Sequence, residues 1–452
     1  MTVQRYNNFL KYTNFICINK KKAVPLQPKR CLLGKTMNYY SLLYQGKYDE
    51  LVHEAYSVLD TNKDAERAFL RMFMELDTVY LFKPETVAFI ETEARKGNRH
   101  MQYAYARYLF GLRPTEQAIH EVFDLLSAAA QQGFADAKAV LADMYGYGDI
   151  DIVDYNKEET LMHEAFDEGS EMAAMYILRN YCYGQHFHAP RPDLASEMAD
   201  DLIARDEQAG IEPNGIWYYY RGVANEHYES KTRLVANYLR AAELGVRRAY
   251  GEIMIAYGYG DSATLHQTPD YNLWMEKGID HRACSAYFLA ALGEMMKTSE
   301  IMRDEDALFS MLTQAAKMGH AGATELEGDM FLEGSYQWKQ DYKRAAESYY
   351  RAIDNGSAGA AEKLWRMIAH DHLIDRPLHE VDRIALIGAR LGSAMLLAET
   401  VVAFQEGRLQ EYKKEITTYY EPIFDDPEFS TDGEFYLHDD DEDDDGRWDA
   451  WA

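Results

Sequence analysis

The chain has 452 residues, with 75 Asp+Glu against 47 Lys+Arg, a formal charge of −28 and a pI near 4.9. Hydrophobic residues at 47% and charged ones at 27% are the proportions of a folded, water-soluble protein, and so acidic a chain has no evident means of neutralising phosphates, which argues against nucleic acid as a partner. Four cysteines (Cys17, Cys31, Cys182, Cys284) are too few and too scattered to staple a secreted scaffold, and no apolar run approaches the roughly 18 residues that cross a bilayer, so a cytoplasmic protein without a membrane partner is expected.

Residues 1–36 carry eight basic side chains and no acid. Their longest apolar stretch, Phe15-Ile16-Cys17-Ile18, is shorter than the roughly 7 residues a signal-peptide core needs. They lack a helical hydrophobic period and read as a basic disordered arm, or as sequence upstream of a true start at Met37. The intact mass of the natively expressed protein separates the two. Residues 37–79 read as N-terminal capping helices, with amphipathic stretches over 48–59 and 65–74.

From residue 80 to residue 407 the sequence repeats. A glycine recurs at Gly97, Gly133, Gly169, Gly210, Gly245, Gly278, Gly319, Gly356 and Gly392, at spacings of 33 to 41 with a mean near 37. Four residues later stands an alanine in five units, Ala137, Ala173, Ala249, Ala323 and Ala360. Fifteen residues later stands a second glycine in six units, Gly148, Gly184, Gly260, Gly293, Gly334 and Gly407. Asp-Tyr precedes a unit at Asp154, Asp270 and Asp341. This predicts a helix–turn–helix unit: Asp caps the first helix, the comb glycine closes it at φ > 0, and the small alanine marks a close crossing in the second. Such pairs cannot bury their apolar faces alone and must stack into an all-α solenoid. The 35 tyrosines, against 18 Phe and 6 Trp, then supply rings to the inter-repeat seams, with hydroxyls wet or hydrogen-bonded.

Phrases such as Tyr238-Leu-Arg-Ala-Ala-Glu-Leu-Gly245, Leu312-Thr-Gln-Ala-Ala-Lys-Met-Gly-His-Ala321 and the run from Asp341 to Gly356 resemble Sel1-like repeats, variable-length relatives of the tetratricopeptide repeat. Agreement is weaker at the Gly210 unit, where Asn214 replaces the alanine, and at the Gly278 and Gly392 units. The resemblance implies a right-handed α-solenoid of about nine units over 80–407 and a non-catalytic adaptor that assembles protein complexes. The cysteine pairs of secreted relatives are missing, so their export is not carried over.

Residues 408–437 read as a C-terminal capping helix, over 408–420, followed by an extended segment. Residues 438–452 read as a disordered acidic tail. In that tail Asp439, Asp440, Asp441, Glu442, Asp443, Asp444 and Asp445 precede Trp448 and Trp451, a pattern suited to steering by charge and anchoring by indole on a basic partner.

Candidate chemistry is sparse. Cys182 with His186 and His188, and His370 with His372, are zinc-type donors without the spacing of a four-ligand site, and the Tyr-Gly-x-Gly phrases lack the Gly-Lys-Ser/Thr ending of a phosphate loop. No catalytic, cofactor or metal residue is assigned. The resulting expectation is a bacterial, non-enzymatic adaptor with a basic protein partner. Its narrower form is an immunity-type neutraliser of a basic effector or toxin. A hydrolase with a metal or carboxylate site in the groove is the alternative of another class, and a small ligand stacked on the tyrosines stays open.

Overall fold

The computed structural model describes residues 38–112, 116–147, 154–184, 190–226, 231–258, 269–296 and 304–409. All regular structure among them is helical. Three short helices, α1 (Tyr39–Tyr44), α2 (Tyr48–Tyr56) and α3 (Lys63–Arg71), lead into two 3₁₀ turns, Met72–Met74 and Leu76–Leu81. Nine antiparallel pairs follow: α4 (Pro84–Arg95) with α5 (Arg99–Gly111), α6 (Glu116–Gln131) with α7 (Ala135–Tyr147), and α8 (Tyr155–Asp167) with α9 (Glu171–Tyr183). Next come α10 (Pro192–Gln208) with α11 (Gly215–Ala224), α12 (Lys231–Glu243) with α13 (Ala249–Gly258), and α14 (Pro269–Asp280) with α15 (Cys284–Met296). The last three are α16 (Glu305–Lys317) with α17 (Ala321–Glu333), α18 (Tyr342–Asp354) with α19 (Ala358–Trp365), and α20 (Leu378–Arg390) with α21 (Ala394–Gln405). Each helix packs mainly on its sequence neighbours, as a solenoid requires.

Local chemistry explains the pairs. Eight comb glycines sit at φ between 68° and 97°, the left-handed turn that ends the first helix of each pair. The residue after the glycine then caps the second helix: the side chains of Asn98, Ser170, His320, Ser357 and Ser393 each accept the N–H three residues on. His320 does so through Nδ1, 3.2 Å from the Ala323 amide, and burial holds its pKa down to about 4, leaving the imidazole neutral and able to accept. The alanines Ala137, Ala173, Ala249, Ala323 and Ala360 have no exposed surface, so the helices cross on them.

Gly278 is the exception. It lies inside α14, and the left-handed turn of that unit is made by Arg282 at φ 56°. Counted from Arg282 the spacings of 33 and 41 on either side of Gly278 both become 37, measured from Gly245 and to Gly319, and Ala286 falls four residues on and fully buried. Gly278 is needed for another reason: a Cβ there would meet the Ala286 methyl at 2.5 Å. Asp154 and Asp341 cap their helices as expected, through Lys157 N and Arg344 N. Asp270 does not, because α14 starts a residue earlier and places it inside the first turn.

The tyrosines fill the seams. Tyr349 lies on Gly328 and donates to Asp329 at 2.8 Å, and Tyr271 donates to the Leu289 carbonyl at 3.1 Å. The hydroxyls of Tyr103 and Tyr238 depart from expectation, being buried without a partner among the described residues. Gly184 and Gly334 end their helices in the left-handed conformation, whereas Gly293 is helical, and Gly148 and Gly260 lie outside the described residues. Of the expected segment 408–420 only Arg408 and Leu409 are described, Arg408 being ion-paired with Asp382.

Candidate functional site: a channel filled by the N-terminal segment

Residues 39–81 pack beside the first pair, where His53 and Tyr56 meet Phe89 of α4. They also do what an end cap cannot, by touching the turns of five later units. One short segment can reach so many only if the array curves around it.

The local sequence makes the segment irregular where it needs to be. After α3 the chain tightens into 3₁₀ turns, and Glu75 between them is extended (φ −104°, ψ 115°), which points its carboxylate away from the helical stripe formed by the buried Phe69, Met72 and Phe73. Phe73 meets Tyr103 of α5 edge-on at 5.9 Å, and Arg107 of α5 donates to the Phe73 carbonyl at 2.8 Å.

Charge fixes the remaining contacts. Arg71 grips Glu171 at the start of α9 with two bonds of 2.7 and 2.8 Å, and donates to the Glu212 carbonyl at 2.9 Å. Asn214, the cap of α11, donates to the same Glu171 carboxylate at 2.8 Å. Burial pushes the Glu171 carboxyl up, but the charge and hydrogen bonds of Arg71 with that of Asn214 outweigh it and hold the pKa below the usual carboxylate range. Glu75 accepts the backbone N–H groups of Arg247 and Arg248 at 2.9 Å each, just before α13. The Arg247 guanidinium, almost wholly buried, pairs with Asp77 and donates to Thr78 Oγ1 at 2.9 Å. Burial works to discharge Arg247, and Asp77, Tyr48 and Glu75 reverse that, raising its pKa above the ordinary value.

Further along, Arg282 donates to the Gly46 carbonyl at 3.1 Å, and Tyr44 lies over Gly245. Tyr80 donates to the Gly111 carbonyl at 2.8 Å while its ring sits on the Gly319 turn. One tyrosine thus joins the first pair to the seventh. The array is an α-solenoid wound around its own N-terminal segment.

The residues singled out from sequence are not brought together. Cys182 is buried at the end of α9, its sulfur 3.8 Å from the Tyr220 carbonyl, while His186 and His188 lie outside the described residues. His370 and Asp371 form a hydrogen bond of 2.6 Å, and His372 follows in a left-handed turn. Among the described residues no three His, Cys, Asp or Glu side chains are grouped to hold a metal ion. The tail residues 439–445, Trp448 and Trp451 are likewise outside. What sequence reading missed are Arg71, Glu75, Asp77, Glu171, Arg247 and Arg248. A register signal existed: two residues past the turn stand Glu171, Glu212, Arg247 and Cys284 in successive units, and then Ala321, Ala358 and Ala394.

No family model and no curated protein matches the chain. Among solved structures it is similar to a Sel1 repeat protein from Oxalobacter formigenes, with 19% identity over 71% of this chain and 91% of that one and a TM-score of 0.33. It is also similar to a protective antigen present in uropathogenic Escherichia coli strains displaying an SLR fold, with 15% identity over 84% of this chain and 94% of that one and a TM-score of 0.35. The fold assignment rests on the stacked helix pairs themselves. No helix among the described residues is long and apolar enough to cross a membrane.

Proposed function

We propose that this chain is a non-enzymatic scaffold of the Sel1-like kind that binds protein partners. The observation supporting this most directly is that consecutive units already hold one protein segment, residues 39–81, through their turns and second-helix starts. A stacked array offers the same kinds of group, in register, to a partner chain.

The partner we propose is basic. The formal charge is −28, and the outward faces of α8 and α10 expose Glu159, Asp167, Glu197, Asp201 and Glu207. Long-range attraction between opposite surfaces accelerates encounter and weakens with salt. A basic effector held by an immunity-type neutraliser is this reading narrowed to one partner. The test is co-purification from the native host at low and high salt: a basic protein retained at low salt and lost at high salt supports the reading, and capture indifferent to salt counts against it. Deleting residues 438–452 should weaken that capture if the tail contributes, and unchanged pull-down at low salt removes the tail from the proposal.

A further inference from the structure

Units built like those around the segment stand without it: the pairs turning at Gly356 and Gly392 have the same glycine turn and the same capping serine as the pair turning at Gly169, and their serines bond to the neighbouring unit, Ser357 to Glu325 and Ser393 to Glu362. The segment is therefore not what makes a unit fold. The unit turning at Gly245, by contrast, is incomplete by itself. Val246 stands where five other units have a capping side chain, and the Arg247 and Arg248 amides, which open the helix and have no partner inside it, are both taken by Glu75 from 172 and 173 residues away. Beside it the buried Arg247 guanidinium needs an anion, and Asp77 is that anion. Two independent requirements, a helix start without a cap and a buried cation, converge on carboxylates two residues apart.

We propose that residues 66–81 are an intrachain ligand of this channel, and that the surface recognises an acidic protein segment: a helical turn bearing Phe and Met, then Glu-x-Asp. The apolar turn is seated against Tyr103 and Phe82, the carboxylates on Arg247, Arg248 and their amides, and Arg71 on Glu171. The channel thus selects the opposite charge from the outer surface and is closed to other chains while its own segment is in place. This deepens the scaffold reading and rests on it only in taking the array to hold protein segments; salt-dependent capture of a basic partner would survive its failure.

The test uses the full chain and a fluorescent synthetic peptide of residues 66–81. In the wild type the channel is full and the peptide should not bind measurably. In a full-length variant with Glu75→Gln and Asp77→Asn the resident segment loses its anchors, and the peptide should bind at least tenfold tighter than to wild type. A peptide carrying the same two changes should not bind, nor should either peptide bind once Arg247→Gln is added. Equal binding to wild type and variant, or none to a variant with native circular dichroism, overturns the proposal. Should the variant fail to fold, native-state hydrogen exchange of the wild type decides. Amides of 69–80 and 247–250 released together before α4 and α5 support a held ligand, and release only with global unfolding makes the segment core and rejects it.

Discussion

Residues 38–286 and residues 288–405 are built from the same helix pair yet are held together differently. In the first region one apolar cluster runs unbroken from Leu43 to Ala286, and ion pairs such as Arg71–Glu171 and Arg247–Asp77 join residues 100 and 170 positions apart. In the second the apolar residues form two smaller clusters, and the polar contacts link adjacent units: Ser357 with Glu325 at 2.5 Å, Ser393 with Glu362 at 2.6 Å, Lys363 with Asp329 at 2.8 Å. Nearest-neighbour stacking carries the second region, apart from the Tyr80 ring on its Gly319 turn. The first adds a segment that ties distant units to one another, so its units gain stability together for as long as that segment is in place.

The largest expected effect breaks that tie. Arg247→Ala strands Asp77 and Glu75 in a buried site and should destabilise the first region by about 3–5 kcal/mol, whereas Lys363→Ala, at a side chain 31% exposed, should cost about 1–2 kcal/mol in the second. Denaturant unfolding of the two variants measures this, and equal losses would erase the contrast.

Next in size is a pH effect at Glu252, in the first region. Burial pushes the Glu252 carboxyl up to about 7, with Glu226 adding to it. A raised folded pKa means the native state binds the proton more tightly, so this group's contribution improves as pH falls from about 8 towards the unfolded value near 4.5 and is worth on the order of 2–3 kcal/mol. Glu252→Gln should therefore raise Tm at pH 8 and lessen the change of Tm between pH 8 and 5. Glu171 works the other way: its lowered pKa gives stability present above the unfolded value and lost as pH falls through the folded one, in strongly acid solution.

A smaller difference separates two turns. Gly356→Ala and Gly245→Ala both force a side chain to φ > 0, at about 1 kcal/mol each. The added methyl at Gly245 also meets the Tyr44 ring at 3.2 Å and should cost a few tenths of a kcal/mol more, detectable by calorimetry. Smallest is Lys343→Ala, whose exposed pair with Glu347 spans 3.9 Å and should change stability by less than about 0.5 kcal/mol.

How far the pattern could be read depended on whether its cause was local. Glycine turns, buried alanines and the capping aspartates Asp154 and Asp341 answer to the few residues around them, and they stand where the repeat places them. Gly278 misled because glycine serves two ends: at the turns it permits φ > 0, but inside α14 it lets Ala286 come close, while Arg282 takes the turn. The capping residue after each turn, Ser170 or Ser357 for example, is equally local and was legible in principle.

By itself the sequence determined that this chain is a row of helical hairpins of about 37 residues, because hydrogen bonding, capping and handed turns act within a few residues of where they are encoded. Only the tertiary structure decided that the row curves around residues 39–81 and that Glu75 and Asp77 lie on Arg247. Curvature accumulates from small rotations between successive units, and no local signal ties a carboxylate to an arginine 170 positions further along the chain.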